Sequence, residues 1–304
     1  MRLARFDGGR LGVVIGDEIA DITALTGADP AQWPDMNMIR LIRDFEGLRG
    51  AIEAALPGLA RIPLAQVSLE TPVPWPNKII AYPVNYHAHG REMQAQYRAT
   101  NQGFFLKPGS ALSGPTDPVV LPAVPGREVH HESELAIIIG KTCRSVARED
   151  WKDVVFGYAC LLDMVVRGRE ERVFRKAYDT FCPVGPWITT ADAVNDPATL
   201  DMKLWVNDDL RQKANTRDLV LDIPGMIATA SAVMTLQPGD IIATGTPEGV
   251  GPVVDGDRIR IVIDQVGEMA VDVVQGQEGM TEVFAQPYVP PIIKQALEHH
   301  HHHH

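Results

Sequence analysis

Short apolar segments separated by turn residues make up the first 24 residues of the chain. Three such segments cover residues 3–6, 11–15 and 19–22, with Asp7-Gly8-Gly9 and Gly16-Asp17 between them. This alternation predicts a short antiparallel meander. From Met38 to Leu56 apolar residues recur at spacings of three and four, which predicts a helix with one apolar face. Pro57-Gly58 is expected to end that helix.

A proline-dense stretch, Thr-Pro-Val-Pro-Trp-Pro at residues 71–76, follows this region. Such stretches are common between domains. We therefore expect a small N-terminal α+β domain over residues 1–72 and a main domain over residues 73–290. Residues 297–304, Leu-Glu followed by six histidines, are typical of a purification tag and have no bearing on function.

The main domain is rich in short β-branched and aliphatic segments bounded by Gly, Pro or Asp, which is the pattern of strands. These segments are residues 78–82, 119–122, 135–139, 241–244, 259–263 and 270–274. Fewer segments have helical character: residues 149–155, a segment after Asp163, and residues 224–235. Because the strands are grouped and do not alternate with helices, the pattern predicts an α+β, mainly β fold.

Composition narrows the class of function. The formal net charge of −11 disfavours an electrostatic nucleic-acid-binding protein, because such proteins need a basic face. No apolar run approaches the ~20 residues of a membrane span, and the N-terminus does not resemble a signal peptide. The three cysteines have no paired spacing, which is typical of a reducing cytoplasm. We expect a cytoplasmic protein that binds neither nucleic acid nor membrane.

Two carboxylates, Glu132 and Glu134, lie just before the apolar segment 135–139. In a strand they share one face, and two like charges beside a core are costly unless a cation or proton lies between them. Asp163, at the end of another apolar stretch, is a third candidate. Oxygen ligands of this kind suit Mg²⁺ or Mn²⁺. The competing interpretations are a solvated strand end for the glutamates and a helix N-cap for Asp163.

His89 and Glu92 are three residues apart, so they face the same side if they lie on a helical turn. A glutamate that binds one imidazole nitrogen leaves the other free as a general base towards water. An exposed polar turn has the same pattern and remains the alternative. His87 has no such partner and is expected to be a bystander. Lys176 is a candidate to neutralise a carboxylate or an enolate.

A glycine-rich loop at residues 244–251 follows the strand predicted at residues 241–244. Glycines at a strand end let backbone N–H groups approach an anion closely. The loop is neither a phosphate-binding Gly-Lys-Ser/Thr loop nor a dinucleotide fingerprint, because the residues that follow do not match. An ordinary turn is the alternative.

Taken in order along the chain, these segments resemble the fumarylacetoacetate hydrolase family. The matching motifs are Asn85-Tyr86-x-x-His89-x-x-Glu92-Met93, Phe105-Leu106-Lys107-Pro108, His131-Glu132-x-Glu134-Leu135-Ala136, Asp163-x-x-x-Arg167, Lys176-Ala177-x-Asp179-Thr180-Phe181, Gly185-Pro186-Trp187, Val206-Asn207, Leu236-x-Pro238-Gly239-Asp240 and Thr244-Gly245-Thr246-Pro247-x-Gly249-Val250-Gly251. They span residues 78 to about 275, nearly all of the proposed main domain.

The resemblance implies a mixed β-roll catalytic domain that binds Mg²⁺ or Mn²⁺ and assembles as a homodimer or larger oligomer. It also implies roles for single residues by their match to the family pattern. Glu132, Glu134 and Asp163 are implied to bind the metal, His89 and Glu92 to activate water, Lys176 to contact metal-bound water or a substrate oxygen, and Arg167, Thr246 and Tyr86 to bind substrate. The first 72 residues resemble, by layout, the small N-terminal domain of longer bacterial members.

One position departs from the family pattern, which often has Gln where this chain has Glu170. A carboxylate there repels an anionic substrate group unless it is protonated or paired with Arg169 or Arg172. On a helical turn, Arg167 and Glu170 reach the same space because they are three residues apart. We therefore count Glu170 among the substrate-binding candidates, with outward pairing on the surface as the alternative.

Together, the residues and the resemblance predict a metal-dependent hydrolase that cleaves a carbon–carbon bond in a 2,4-dioxo acid. The substrate is expected to be an acylpyruvate or a fumarylacetoacetate-like compound of aromatic catabolism. The metal is expected to chelate the 2-oxo acid end while His89 and Glu92 activate water. The alternatives are a decarboxylase or keto–enol isomerase of a related 2-oxo acid, and a catalytically silent binding protein on the same fold.

Overall fold

The computed structural model describes residues 1–87 and 99–286. Its strands are β1 (Arg2–Phe6), β2 (Arg10–Ile15), β3 (Glu18–Asp21), β4 (Arg61–Pro63), β5 (Leu69–Glu70), β6 (Ile79–Ala81), β7 (Phe105–Lys107), β8 (Leu112–Ser113), β9 (Val119–Leu121), β10 (Val129–His131), β11 (Ser133–Ile139), β12 (Val155–Leu162), β13 (Val165–Val166), β14 (Cys182–Thr190), β15 (Asp201–Val206), β16 (Asp209–Asn215), β17 (Ile241–Ala243), β18 (Gly251–Val253), β19 (Arg258–Ile263) and β20 (Gly267–Gln275). The α-helices are α1 (Thr23–Thr26), α2 (Asn37–Ala55), α3 (Ala99–Gln102), α4 (Arg172–Arg175) and α5 (Ile223–Val233). Short 3₁₀ helices cover Leu56–Gly58, Leu64–Gln66, Gly109–Ala111, Arg148–Val154, Ala191–Ala193, Pro197–Thr199, Thr216–Asp218 and Glu282–Ala285.

The N-terminal meander forms as predicted, with β1 antiparallel to β2 and β2 antiparallel to β3. The helix predicted from Met38 is α2, and its apolar face is buried. The far edge of β1 pairs with β14, with Leu3 opposite Ile188. The strands of residues 1–72 therefore extend the sheet that contains β14. The domain boundary at residue 72 stays a prediction from the proline-dense sequence.

Both faces of the central strand β11 are covered. Leu135, Ile137 and Ile139 belong to one apolar cluster, whereas Ala136 and Ile138 belong to another on the opposite face. Side chains alternate across a strand, so a strand between two cores must be apolar at every position. This explains the uninterrupted apolar run after Glu134. The strand lies in the order β14-β12-β11-β17-β6-β7, in the middle of a 12-stranded sheet.

Two smaller sheets complete the fold, in the orders β16-β15-β19-β20-β9 and β13-β10-β18. In the second, β10 pairs with β18, with His131 opposite Gly251. This pairing brings the end of the glycine-rich loop beside the carboxylate segment that begins at Glu132.

The predicted helix after Asp163 is wrong. The chain first forms β13, which pairs with β10, and the Arg167 N–H then extends this pairing by donating to the Glu128 carbonyl. Residues 168–170 form a bend, and the only helix in this stretch of the described chain is the four-residue α4. Long-range strand pairing has overridden local helical tendency, as it often does in short segments. The helix predicted at residues 149–155 is present, but it is a 3₁₀ helix over Arg148–Val154.

Candidate metal centre and substrate cavity

The three predicted carboxylates converge because β11 and β12 are antiparallel neighbours. Ser133 lies opposite Leu162, so the residue before β11 meets the residue after β12. The Asp163 N–H donates to the Glu132 carbonyl at 2.9 Å. One carboxylate oxygen from each of Glu132, Glu134 and Asp163 lies within 4.8 Å of the others. Asp163 is therefore not a helix N-cap, and the two glutamates do not form a solvated strand end.

Two buried lysines hold this carboxylate cluster. Lys176 Nζ donates to Asp163 Oδ2 at 2.8 Å and to Glu132 Oε1 at 3.0 Å. Lys107 Nζ donates to Asp163 Oδ1 at 2.5 Å and to the Phe181 carbonyl at 3.0 Å. The sequence analysis included Lys107 in a matching motif but gave it no role. A lysine inside an apolar strand, between Phe105-Leu106 and Pro108, was the available signal, because buried lysines are almost always paired.

Two ammonium groups cannot balance three carboxylates, and the pKa values reflect this. Burial raises the pKa of Glu132, and burial together with the charges of Asp163 and Glu132 raises the pKa of Glu134. Burial opposes ionisation of Asp163 as well, but Lys107 and Lys176 hold its pKa below the ordinary value. The cluster offers only oxygen donors and carries excess negative charge, which fits a hard divalent cation such as Mg²⁺ or Mn²⁺.

The glycine-rich loop supports the cluster from the other side. The Gly245 N–H donates to Glu134 Oε1 at 2.7 Å, so the anion that this loop approaches is a side chain of the protein itself. Gly245 has φ +105°, and a Cβ at this position would lie 2.7 Å from Asn85 Cβ. Only glycine allows both the conformation and the close approach.

A cavity of about 390 Å³ opens beside the cluster. Its walls include the predicted residues Tyr86, Arg167, Lys176 and Thr246, together with Glu132 and Asp163. The Tyr86 hydroxyl is buried and has no hydrogen-bond partner among the described residues. Because buried hydroxyls are usually satisfied, this one is suited to contact a ligand in the cavity. Burial also raises the pKa of Tyr86, which keeps the hydroxyl a donor.

Two more arginines line the cavity. Arg175 is held by the backbone, since Nε donates to the Glu170 carbonyl at 2.8 Å and Nη1 to the Val166 carbonyl at 3.3 Å. Arg172 lies with its guanidinium 5.4 Å from the centre of the Phe105 ring, and Lys176 Nζ lies 5.3 Å from the same ring. In the described part of the chain, the Arg172 side chain has no acidic partner. It is therefore available to an anion in the cavity.

Glu170 has neither of the partners expected from the sequence. Arg127 binds its carboxylate through two hydrogen bonds of 2.9 and 2.8 Å, and Glu170 is not among the described residues that line the cavity. The Arg127 guanidinium holds the pKa of Glu170 down to about 2. The charge is thus neutralised by a residue 43 positions earlier, and the alternative considered for Glu170, outward pairing with Arg169 or Arg172, is not formed.

A buried amide that the sequence analysis missed joins the loop to the carboxylate strand. Gln212 Oε1 accepts from the Ser133 N–H at 3.1 Å and lies 3.0 Å from His131 Nδ1. Gln212 Nε2 donates to Thr246 Oγ1 at 2.8 Å and to the Pro247 carbonyl at 3.0 Å. Gln212 lies in a polar, alternating strand, where no local pattern marks it as buried.

The proposed water-activating residues His89 and Glu92 lie outside the described residues. The described chain reaches His87, one residue beyond the cavity-lining Tyr86, before residues 88–98. His87 itself is exposed, and its N–H donates to the Asp218 carbonyl.

Comparison with known proteins found a family model, similar sequences and similar solved structures. The C-terminal domain model of fumarylacetoacetate (FAA) hydrolase matches residues 78–274. Maleylpyruvate hydrolase of Aquipseudomonas alcaligenes is 42% identical over 283 residues, 89% of this chain and 98% of that protein. A solved structure of maleylpyruvate hydrolase from Sphingobium sp. SYK-6, in complex with manganese(II) ion and pyruvate, is 95% identical with a TM-score of 0.86 and covers 91% of this chain and 100% of that chain.

A more distant relative has a different activity. The mitochondrial oxaloacetate tautomerase of Bos taurus is 38% identical over 203 residues, 64% of this chain and 90% of that protein. The solved structure confirms the predicted α+β, mainly β fold with its mixed β-roll catalytic domain. By the family model and the relatives alike, the chain belongs to the fumarylacetoacetate hydrolase family.

Proposed function

We propose that this protein hydrolyses maleylpyruvate, or an acylpyruvate that likewise ends in a second carboxylate, to pyruvate and the corresponding acid. One observation carries the proposal: Glu132 and Asp163 of the carboxylate cluster line the same cavity as Arg172, whose guanidinium has no acidic partner among the described residues. The two kinds of group suit the two ends of one dianionic substrate. The 42% and 95% identical relatives confirm the predicted class of enzyme, a metal-dependent hydrolase of carbon–carbon bonds in acylpyruvates.

Glu132, Glu134 and Asp163 are the residues that would hold the metal. When bound, a divalent cation supplies Lewis-acid polarisation of the 2-oxo acid end of the substrate. Lys176 adds positive charge beside Asp163 and Glu132, where it favours negative charge developing on a substrate oxygen. The Tyr86 hydroxyl is a further donor at the cavity wall.

The reaction consumes one water. Its oxygen bonds to the acyl carbonyl carbon, the bond between that carbon and the methylene group breaks, and the electron pair passes to the enolate of pyruvate. One proton of the water finally reaches the methylene carbon, so that an acid and pyruvate are formed. We propose His89, oriented by Glu92, as the base that takes the proton from the attacking water.

The choice of a dianionic substrate is tested with Arg172→Gln and the matched control Arg169→Gln. Arg169 is three residues away and exposed, and it is not among the described residues that line the cavity. Arg172→Gln should lower kcat/KM for maleylpyruvate by about 10- to 100-fold, since a charge-assisted hydrogen bond is lost. Its kcat/KM for acetylpyruvate, which has no second carboxylate, should change little.

Three results would count against this proposal. If the wild-type protein prefers acetylpyruvate, the dianionic substrate class is wrong. Equal losses on both substrates would mean that Arg172 supports the site as a whole, with no role in recognising the far carboxylate. A protein that turns over neither compound would contradict the proposed hydrolysis itself.

Oxaloacetate tautomerisation is the second candidate, because the relative from Bos taurus is an oxaloacetate tautomerase. A metal held by the same carboxylate cluster could chelate oxaloacetate, which is also a 2-oxo acid. The two candidates differ in the mass of the product. Hydrolysis adds water and gives two fragments, whereas tautomerisation leaves the mass unchanged and decarboxylation releases CO₂. Mass detection with maleylpyruvate and oxaloacetate as substrates separates the three outcomes.

Three predictions concern the setting of the enzyme. We propose that it acts in aromatic catabolism, in the cytoplasm, as a homodimer or larger homo-oligomer. In the described residues, no helix combines the length and the apolar character needed to cross a membrane. Size-exclusion chromatography with light scattering measures the assembly, and a monomer at micromolar concentration would contradict the expected dimer.

A further inference from the structure

Gln212 is a polar side chain with all of its hydrogen-bonding capacity used inside the protein. It lies on β16, and only 1% of its surface is exposed. Its oxygen faces β11, the strand that carries Glu134, and its nitrogen faces the loop that carries Thr246. Replacing a buried amide that has four hydrogen-bond partners destabilises a protein, because each group left without a partner keeps the full free-energy cost of its desolvation.

The backbone fixes which end of this amide is oxygen and which is nitrogen. The Ser133 N–H can only donate, so the atom that it meets must be Oε1. The Pro247 carbonyl can only accept, so the atom that it meets must be Nε2. A flipped amide would oppose donor to donor and acceptor to acceptor. The orientation of Gln212 is therefore determined by its surroundings.

This orientation also sets the direction of the Thr246 hydroxyl. Because Nε2 donates to Oγ1 at 2.8 Å, the hydroxyl is the acceptor in that bond and its own proton must point elsewhere. The hydroxyl finds no acceptor among the described residues, and Thr246 lines the cavity. We infer that Gln212 is a positioning residue that turns the Thr246 hydroxyl into a donor towards the 2-oxo acid end of the substrate.

The inference deepens the proposed function and rests on it for the ligand, because a 2-oxo acid presents only acceptor oxygens at that end. If the hydroxyl were turned the other way, its oxygen lone pairs would face the substrate carboxylate and repel it. Gln212 also ties the loop to β11, so the donor keeps a fixed position relative to Glu134, whose carboxylate the same loop binds through Gly245.

Gln212→Glu is the decisive substitution. A carboxylate at position 212 still accepts from Ser133, but it has nothing to donate to Thr246 and instead draws the hydroxyl proton towards itself. Thr246→Val removes the donor altogether, and Thr246→Ser keeps it. The dissociation constant of pyruvate from the Mn²⁺-loaded protein, measured by calorimetry, and KM and kcat for maleylpyruvate are compared among these variants.

We expect Gln212→Glu and Thr246→Val each to weaken pyruvate binding and raise KM about tenfold, with a smaller change in kcat. Thr246→Ser keeps the hydroxyl and should therefore recover most of the binding that Thr246→Val loses. The double variant should be no weaker than the worse single variant, because both changes remove the same donor. Gln237→Glu is the matched control: its side chain accepts from the hydroxyl of Thr142 in a second Gln–Thr pair, away from the cavity, and binding should not change.

The inference would be overturned if the losses in pyruvate binding of the two single variants multiply in the double variant. It would also be overturned if Gln212→Glu binds pyruvate as tightly as the wild type. If Gln212→Glu does not fold, Gln212→Met removes the donor without adding charge, and pyruvate binding equal to that of the wild type would refute the role. Pyruvate binding is measured apart from turnover. If the wild-type protein binds pyruvate but does not hydrolyse maleylpyruvate, the proposed function is contradicted, and the positioning role of Gln212 is judged from pyruvate binding alone. If the wild-type protein binds no pyruvate, both the proposed function and the positioning role are overturned.

Discussion

Replacing Glu170 by Gln tests whether this residue stabilises the fold or selects the substrate. The substitution keeps the shape of the side chain but removes the charge that Arg127 binds. The pKa of Glu170 falls from 4.5 to about 2 in the folded protein, and one pKa unit corresponds to ~1.4 kcal/mol, which gives a ceiling of about 3.5 kcal/mol. Since 17% of the Glu170 side chain remains exposed, solvent screens the pair, and we expect roughly 1–2 kcal/mol.

The pH dependence has a definite sign. The folded-state pKa lies below the unfolded value, so the stabilisation is complete above pH 4.5 and is lost as the pH falls from 4.5 towards 2. We expect Glu170→Gln to lower the melting temperature by about 4 °C at pH 7, and the difference from the wild type to shrink as the pH falls below 4.5. Thermal denaturation followed by circular dichroism measures both quantities.

Glu171→Gln is the control, because Glu171 is the exposed neighbour. A melting temperature that is unchanged in Glu170→Gln at pH 7, or a difference that grows on acidification, would refute the stabilising role. The ratio of kcat/KM for maleylpyruvate to that for acetylpyruvate should not change. A tenfold rise in that ratio would show that the carboxylate acts on the substrate, as we expected when the sequence alone was considered.

Three further predictions concern the cluster and the proposed base. Treatment with EDTA should abolish activity, and Mg²⁺ or Mn²⁺ should restore it; full activity with no metal by elemental analysis would contradict the assignment of the cluster. His89→Ala should lower kcat by about 100-fold or more with the metal retained, whereas His87→Ala should have little effect, so equal losses would mean that the wrong imidazole was chosen. Lys107→Met should strongly lower the melting temperature of the metal-free protein, because Asp163 is left with Lys176 as its one cationic partner among the described residues. Added Mn²⁺ should recover part of this loss. An unchanged melting temperature would refute the pairing of Lys107 with Asp163.

The elements that were correctly predicted are those set by local pattern. The helix from Asn37 to Ala55 has a long apolar stripe, and residues 135–139 are apolar because both faces of their strand are buried. The carboxylates Glu132 and Glu134 could be found for the same reason, since charges at the start of a buried strand are unusual. Asp163 was a candidate because it ends an apolar stretch, and the family resemblance implied its role in metal binding. That its strand ends beside the two glutamates is known only from the structure.

The features that were missed depend on contacts between distant parts of the chain. Lys107 meets Asp163 across 56 positions, and Gln212 meets Ser133 across 79. Arg127 meets Glu170 across 43 positions, and it takes the place of the nearer Arg169 and Arg172, which the sequence offered as alternative partners. In each case the residue type is ordinary and only the tertiary fold gives it a partner. The bend at residues 168–170 was missed in the same way, because pairing between β13 and β10 decided it.

The two lysines have a consequence for the substrate as well as for the fold. Three carboxylates and a divalent cation alone carry a net negative charge, which repels the carboxylate of a 2-oxo acid. Lys107 and Lys176 each neutralise part of the cluster, so the five side chains together carry one negative charge when all are ionised. A divalent cation would then make the centre positive by one unit, which attracts the carboxylate of a 2-oxo acid. Under the proposed function, pairing the two lysines with these carboxylates weakens their attraction for a cation but allows an anion to bind beside it.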